Sequence, residues 1–228
     1  MYTNVNLAAP IGVLALLGTA LLLFLLGLLF FYSLGKRRFA LTKFVVLAAT
    51  LLTGLYFAVL LTFSFASSER VLARGDEKHF CEIDCHLAYS VAAVRESKTV
   101  GEAPNQVTAA GMFRIVTIKT RFDETTISPN RGNGLLYPNA RVVSIVDESG
   151  REHFPATEAQ RVLENSHTSG TAMTIPLRPG ESYSTTLAFD VPPDVSRATL
   201  VIREGDLVTH FVIGHENSPL HKKISFQL

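Results

Sequence analysis

Two uninterrupted apolar runs near the N-terminus constrain the chain more than any other feature. No charged residue occurs from Ile11 to Leu34, and none from Phe44 to Ala66. Each run exceeds the roughly 20 residues an α-helix needs to cross the hydrocarbon core of a bilayer. Neither has the polar face that a helix on a soluble protein turns to water. The opening MYTNVN lacks a basic n-region, and the first run is too long for the apolar segment of a cleaved signal peptide. The runs therefore predict a two-helix transmembrane hairpin, with spans at 11–34 and 44–66 and a loop at 35–43. No intramembrane charge offers a proton or ion path through such a hairpin. Gly12, Gly18, Gly27 and Gly54 would allow close helix contact.

The loop fixes an expected orientation. GKRRFALTK carries Lys36, Arg37, Arg38 and Lys43 and no acidic residue. Short loops rich in Lys and Arg stay on the cytoplasmic side. Residues 1–10 then form an outer tail, and everything after the second span lies outside, as expected for a bacterial plasma-membrane protein. All 20 acidic residues follow Ser67, where they face 17 basic ones, a formal charge of −3 for that part. A near-neutral, slightly acidic domain gives no electrostatic basis for nucleic-acid binding. The expected partners are membrane lipid and another membrane protein or complex.

After a polar connector at 67–82, the pattern changes to short strands. HLAYSVAAV, MFRIVTIKTRF, ARVVSIVD and TLAFDV alternate, and RATLVI, HFVIG and KISFQL follow. Val, Ile, Thr, Phe and Tyr concentrate there, as a half-buried pleated surface requires. PNRGNG, DESG, RPGES and VPPD punctuate the runs as turns. TEAQRVLEN, Thr157 to Asn165, reads as a short helix. Strands of this length and spacing predict an all-β sandwich or Greek-key barrel over 83–228.

The succession VTIKTRF, ARVVSIVDESGREHFP, IPLRPGESYSTTLAFDVPPDV and ATLVIREG resembles a telokin-like immunoglobulin-fold family found in bacterial lipoproteins and membrane-tethered proteins. The resemblance covers roughly residues 85–228. Its firmest part is LRPGES…LAFDVP, where a turn at Pro179 and Gly180 feeds a strand ending before Pro192. It implies an immunoglobulin-like sandwich and a binding or scaffolding habit; it carries no chemistry, and a fold does not fix a function.

One segment has chemical potential. KHFCEIDCHLAY, Lys78 to Tyr89, holds both cysteines and packs His79, Cys81, Cys85 and His86 into eight residues. As a strand, it would place Cys81, Ile83, Cys85, Leu87, Tyr89 and Val91 on one apolar face. The two sulfurs would then stand roughly 13 Å apart, leaving two free thiols in an oxidising compartment. If the segment bends, a local disulfide closes a small loop. As metal ligands, His79, Cys81, Cys85 and His86 suit copper or zinc. The membrane hairpin with an outer β-sandwich is similar in layout to cytochrome oxidase subunit II, whose C-x3-C pair helps hold a dinuclear copper centre. Cys81 and Cys85 match that spacing, while Tyr89 and Ala92 stand where that family has histidine and methionine. The resemblance thus implies copper binding or delivery linked to a respiratory oxidase rather than electron transfer. A third use, CEIDCH as a relaxed haem-attachment motif, departs from the two-residue spacing of the common form.

Elsewhere, His210, His215 and His221 read as isolated surface histidines, and ENSPLH as a turn. Asp123 and Glu124 are adjacent and would point to opposite faces of a strand. There is no nucleophile elbow, metalloprotease helix or phosphate-cradling loop. The expectation is a non-enzymatic, membrane-anchored accessory or interaction module with no firmly implied cofactor. The competing class is a copper-handling protein using His79, Cys81, Cys85 and His86.

Overall fold

The computed structural model describes residues 1–81, 85–128 and 130–228. The chain divides into two units, Val5–Ser68 with Leu207–Lys222, and Met1–Asn4 with Glu69–Asp206 and Lys223–Leu228.

In the first unit the apolar runs form α1 (Ala9–Gly35) and α2 (Phe39–Phe65). Both are long and apolar enough to cross a membrane. Pro10 sits in the first turn of α1, where its missing N–H costs no helix bond. Lys36, Arg37 and Arg38 form the whole turn between the helices, with Arg37 at a φ of 54°. Near this turn the Ser33 and Thr42 hydroxyls bond across the hairpin at 2.8 Å. The expected loop of 35–43 is therefore shorter than anticipated. Nothing in FALTK breaks a helix, and Lys43 rides on α2, where its long stem can lie along apolar surface.

The rest of this unit is the segment Leu207–Lys222. HFVIG was expected as a strand, but Leu207–Phe211 is a 3₁₀ helix leading into turns. Its apolar run instead packs on the hairpin. Ile213 joins Tyr56 and Leu60 in a small cluster, flanked by Leu7, Leu16 and Phe63. Gly12 allows this approach, because a Cβ there would lie 2.7 Å from the Ile213 carbonyl oxygen.

The second unit contains two five-stranded sheets. One has the order β1 (Tyr2–Thr3), β3 (Lys78–Phe80), β4 (Leu87–Val100), β5 (Val107–Phe122), β8 (Ser182–Val191). The other runs β2 (Arg70–Leu72), β10 (Ile224–Gln227), β9 (Ala198–Glu204), β6 (Arg141–Asp147), β7 (Glu152–His153). Pairing is antiparallel except β1 with β3 and β2 with β10. Residues of the outer tail and of the connector supply β1, β2 and β3. These short strands extend sheets whose other members come from the domain proper.

Alternate residues of both sheets meet in one core. Phe80, Tyr89, Phe122 and Phe189 of the first sheet join Ile145, Leu200, Ile202 and Phe226 of the second. Each such aromatic contributes about 1.5–3 kcal/mol by leaving water. Lys78 also enters the interior. Its ammonium donates to the carbonyls of Ile202 (2.9 Å) and Ile224 (3.2 Å) and lies 4.9 Å from the Phe80 ring centroid. The Arg141 guanidinium sits 4.4 Å from the same centroid and 3.8 Å from Glu204.

The β4–β5 hairpin extends past the main core and carries a second one. Phe113, Ile115 and Val100 pack there with Ala159 and Leu163 of α3 (Thr157–Asn165), the helix expected from TEAQRVLEN. The DESG turn forms between β6 and β7. Asp147 accepts from the Ser149 and Arg151 backbone N–H groups, and Gly150 takes a φ of 80°.

Candidate functional site

Cys81 and Cys85 lie outside the strands, with their Cα atoms 4.0 Å apart rather than the roughly 13 Å of an extended run. β3 stops at Phe80 and β4 starts at Leu87, and Cys81 and Cys85 are joined by a disulfide. The continuous period-two strand through 81–91 is therefore corrected. Only its later part, Leu87, Tyr89 and Val91, keeps the inward register. The expected strand residue Ile83 lies outside the described residues. Among the readings open for the cysteines, this geometry is that of the local bridge. Neither sulfur is then a thiolate, the form that ligates metals.

The two histidines of the proposed ligand set go separate ways. His86 stacks on Phe122, with centroids 5.6 Å apart and planes 19° from parallel. Its Nδ1 lies 2.6 Å from the Thr126 hydroxyl. His79 turns to a residue distant in sequence, its Nε2 lying 2.9 Å from Asp123 Oδ2. Both side chains are less than a tenth exposed. Of the four residues His79, Cys81, Cys85 and His86, the two cysteines are bonded to each other and the two histidines have separate partners.

Strand pairing explains why His79 meets these partners. His79 on β3 and Arg121 on β5 both stand opposite Ala88 of β4. Ala88 is small, so long side chains from the flanking strands can meet over it. Arg121 holds Glu77 with two 2.7 Å bonds and reaches Asp123 Oδ2 at 3.2 Å. Asp123 Oδ1 accepts from the Thr125 backbone N–H and hydroxyl, at 3.0 and 2.7 Å. On one side, therefore, His79, Arg121, Asp123 and Glu77 form a continuous chain of ion pairs and charge-assisted bonds.

The electrostatics follow from these bonds. Burial by itself would raise the Asp123 pKa. The Thr125 hydroxyl, His79, the Thr125 N–H and Arg121 outweigh it and hold the carboxyl well below the ordinary range. Glu77 is lowered chiefly by its bond to Arg121. Both carboxylates are ionised at neutral pH, with one guanidinium between them.

Glu77, His79 and Asp123 each offer a donor atom, and these lie within 4.8 Å of one another. A divalent cation entering there would have to displace Arg121, which already engages both carboxylates. The observed donor set is that of an internally bonded ion network, two carboxylates sharing one guanidinium. Sequence reading missed Glu77 and Arg121 and treated Asp123 only as a neighbour of Glu124. The signal available was indirect: a small residue, Ala88, on a strand flanked by His and Arg.

No protein-family model matches the chain, and no curated protein matches it significantly. Two solved structures are similar in part. A conserved hypothetical protein from Bacillus anthracis is 15% identical, with 51% of this chain and 82% of that one covered, at a TM-score of 0.38. A secreted protein from Mycobacterium tuberculosis, MPT63, is 12% identical, with 71% and 98% covered, at a TM-score of 0.36. Scores this low carry no argument about fold family or function.

Two further features complete the survey. A cavity of about 620 Å³ opens beside α3, bordered by Val143, Gln160, Met173, Thr185 and Leu187. Of the C-terminal histidines, His215 is buried, contrary to expectation, and its Nδ1 accepts from the Asn217 N–H at 3.0 Å. His210 is exposed as expected.

Proposed function

We propose that this protein is a non-enzymatic, membrane-anchored module whose β unit lies outside the cytoplasm of a bacterial cell. In this reading it is an immunoglobulin-like sandwich that serves as an accessory or interaction subunit of a larger membrane assembly. The observation that carries the placement is the Cys81–Cys85 disulfide. Such bonds persist in oxidising compartments and are rare in the cytosol. The basic turn Lys36–Arg37–Arg38 supports the same orientation independently, since it favours the cytoplasmic face. The non-enzymatic reading is supported by the site's chemistry. His79 is bonded to Asp123, which is itself paired with Arg121, and no hydroxyl or thiol nucleophile bonds to the His79 imidazole among the described residues.

A copper-handling role is the second reading, favoured by the proximity of Glu77, His79 and Asp123 and by two cysteines that reduction would convert to thiols. Extraction in mild detergent separates the readings. Stoichiometric co-purification of a membrane protein, with no copper by elemental analysis, supports the interaction module. Copper bound near one equivalent and lost in Cys81→Ser would overturn it in favour of metal handling.

A further inference from the structure

Leu207, Val208, Phe211 and Leu220 are exposed, with relative exposures of 72, 55, 44 and 66%. Four large apolar side chains on one 14-residue stretch need an occupant. The stretch belongs to the same unit as the hairpin, and its contacts fix its level along the helices. The Tyr56 hydroxyl donates to the Phe211 carbonyl, and the Ile213 carbonyl abuts Gly12. Tyr56 lies nine residues before the end of α2 at Phe65, about 13 Å along the axis at 1.5 Å per residue. Phe211 is therefore held beside α2, short of its end, while Ile213 meets α1 in its first turn.

The bilayer limits can be set from the charges. Lys43 is the last charged residue of α2, and about 30 Å of hydrocarbon measured from Phe44 ends near residue 63. Tyr56 then falls roughly 10 Å inside the outer boundary. At that depth water is scarce, and a phenol or a backbone carbonyl needs an internal partner. The segment is built to that requirement. Val212 N donates to Thr209 O, His215 N to Val212 O, and Ser218 N to His215 O. The Ser218 hydroxyl donates to Val212 O, and the Asn217 amide donates to the Thr209 hydroxyl. Asn6 N donates to Gly214 O, and the Asn6 side chain to Phe63 O. Polar residues His215, Glu216, Asn217 and Ser218 are buried, while the exposed side chains are mostly apolar. The charges Asp206, Lys222 and Lys223 flank the segment, and His210 is its exposed polar residue.

We propose that residues 207–220 form a third membrane-inserted element, seated in the acyl chains of the outer leaflet against the hairpin. The inference rests on the hairpin being the anchor, and continuity with its lipid-facing surface identifies the occupant as lipid. Because the chain contains no Trp, single replacements report cleanly. Full-length Phe211→Trp, Leu207→Trp and Leu220→Trp would be reconstituted in vesicles of acyl-brominated phosphatidylcholine. Phe24→Trp in α1 is the anchor control, and Tyr137→Trp in the β unit is the aqueous control. The expected result is loss of at least half the emission at Leu207→Trp and Phe211→Trp, as at Phe24→Trp, with Tyr137→Trp unquenched. Quenching at Leu220→Trp alone supports insertion where Phe211→Trp fails to fold. Quenching at Phe24→Trp with none at 207, 211 and 220 overturns the inference and leaves the anchor standing. That outcome would mean water or a partner protein covers the segment. No quenching at Phe24→Trp sinks the anchor itself.

Discussion

Replacing Asp123 by Asn tests the ion network with little change in shape. Asn keeps the Oδ1 acceptor for the Thr125 N–H and hydroxyl. It places an NH₂ where Oδ2 faced Arg121 at 3.2 Å and His79 at 2.9 Å. Two charge-assisted bonds are lost, each worth about 1.5–3 kcal/mol when intact. Arg121 keeps both bonds to Glu77, and the imidazole can reverse its tautomer to accept from the new amide. With those compensations the expected destabilisation is about 2–3 kcal/mol, or a Tm lower by about 4–12 °C for a domain of this size. The pH dependence supplies an independent check. Asp123 titrates lower in the fold than in the unfolded chain, where its ordinary value is near 3.8. Its stabilisation is therefore complete above that value and is lost as pH falls towards the depressed folded value. Thermal unfolding of the detergent-solubilised protein between pH 7 and 3 should show a steeper acid loss for wild type than for Asp123→Asn. A variant within 0.5 kcal/mol of wild type at pH 7, with an unchanged acid limb, would refute the reasoning.

Other outcomes follow from single contacts. Alkylation under denaturing, non-reducing conditions should add nothing to the mass, and reduction should allow two adducts; two adducts without reductant would remove the disulfide. Closing a loop of five residues restricts the unfolded chain by about 2 kcal/mol on the chain-entropy model, so Cys81→Ser with Cys85→Ser should lower stability by at most that amount in denaturant titration. Gly111→Ala should cost about 2–3 kcal/mol through overpacking, because its Cβ would lie 2.1 Å from the Val191 carbonyl oxygen; an unchanged midpoint would mean the β5–β8 edge yields freely. Oxidised protein dialysed against copper should retain none after a chelating wash, and retention near one equivalent would show that Arg121 gives way to a cation.

The sequence made the hairpin legible because hydrocarbon demands length and the absence of charge together, and both are countable in 11–34 and 44–66. Long alternating runs located β4, β5, β6, β8 and β9, and TEAQRVLEN located α3. Where it misled, another partner outweighed the local pattern. HFVIG alternates well enough for a strand, yet Ile213 gains more by packing on Tyr56 and Leu60. Tyr2–Thr3 and Lys78–Phe80 are too short to show a period; pairing with each other and with β4 makes them strands. The cysteine spacing admitted several chemistries, because four residues apart describes a bend and an extended strand equally. His79 and Asp123 are 44 residues apart, and only the β3–β4–β5 register brings them together.

The most direct test of the account is the sidedness of the two units in intact spheroplasts. With the native cysteines bridged, Lys36→Cys and Glu102→Cys each supply one exposed reactive thiol. A membrane-impermeant maleimide should modify Glu102→Cys in intact cells and Lys36→Cys only after lysis. The reverse pattern, or equal labelling of both before lysis, would contradict a hairpin whose basic turn faces the cytoplasm.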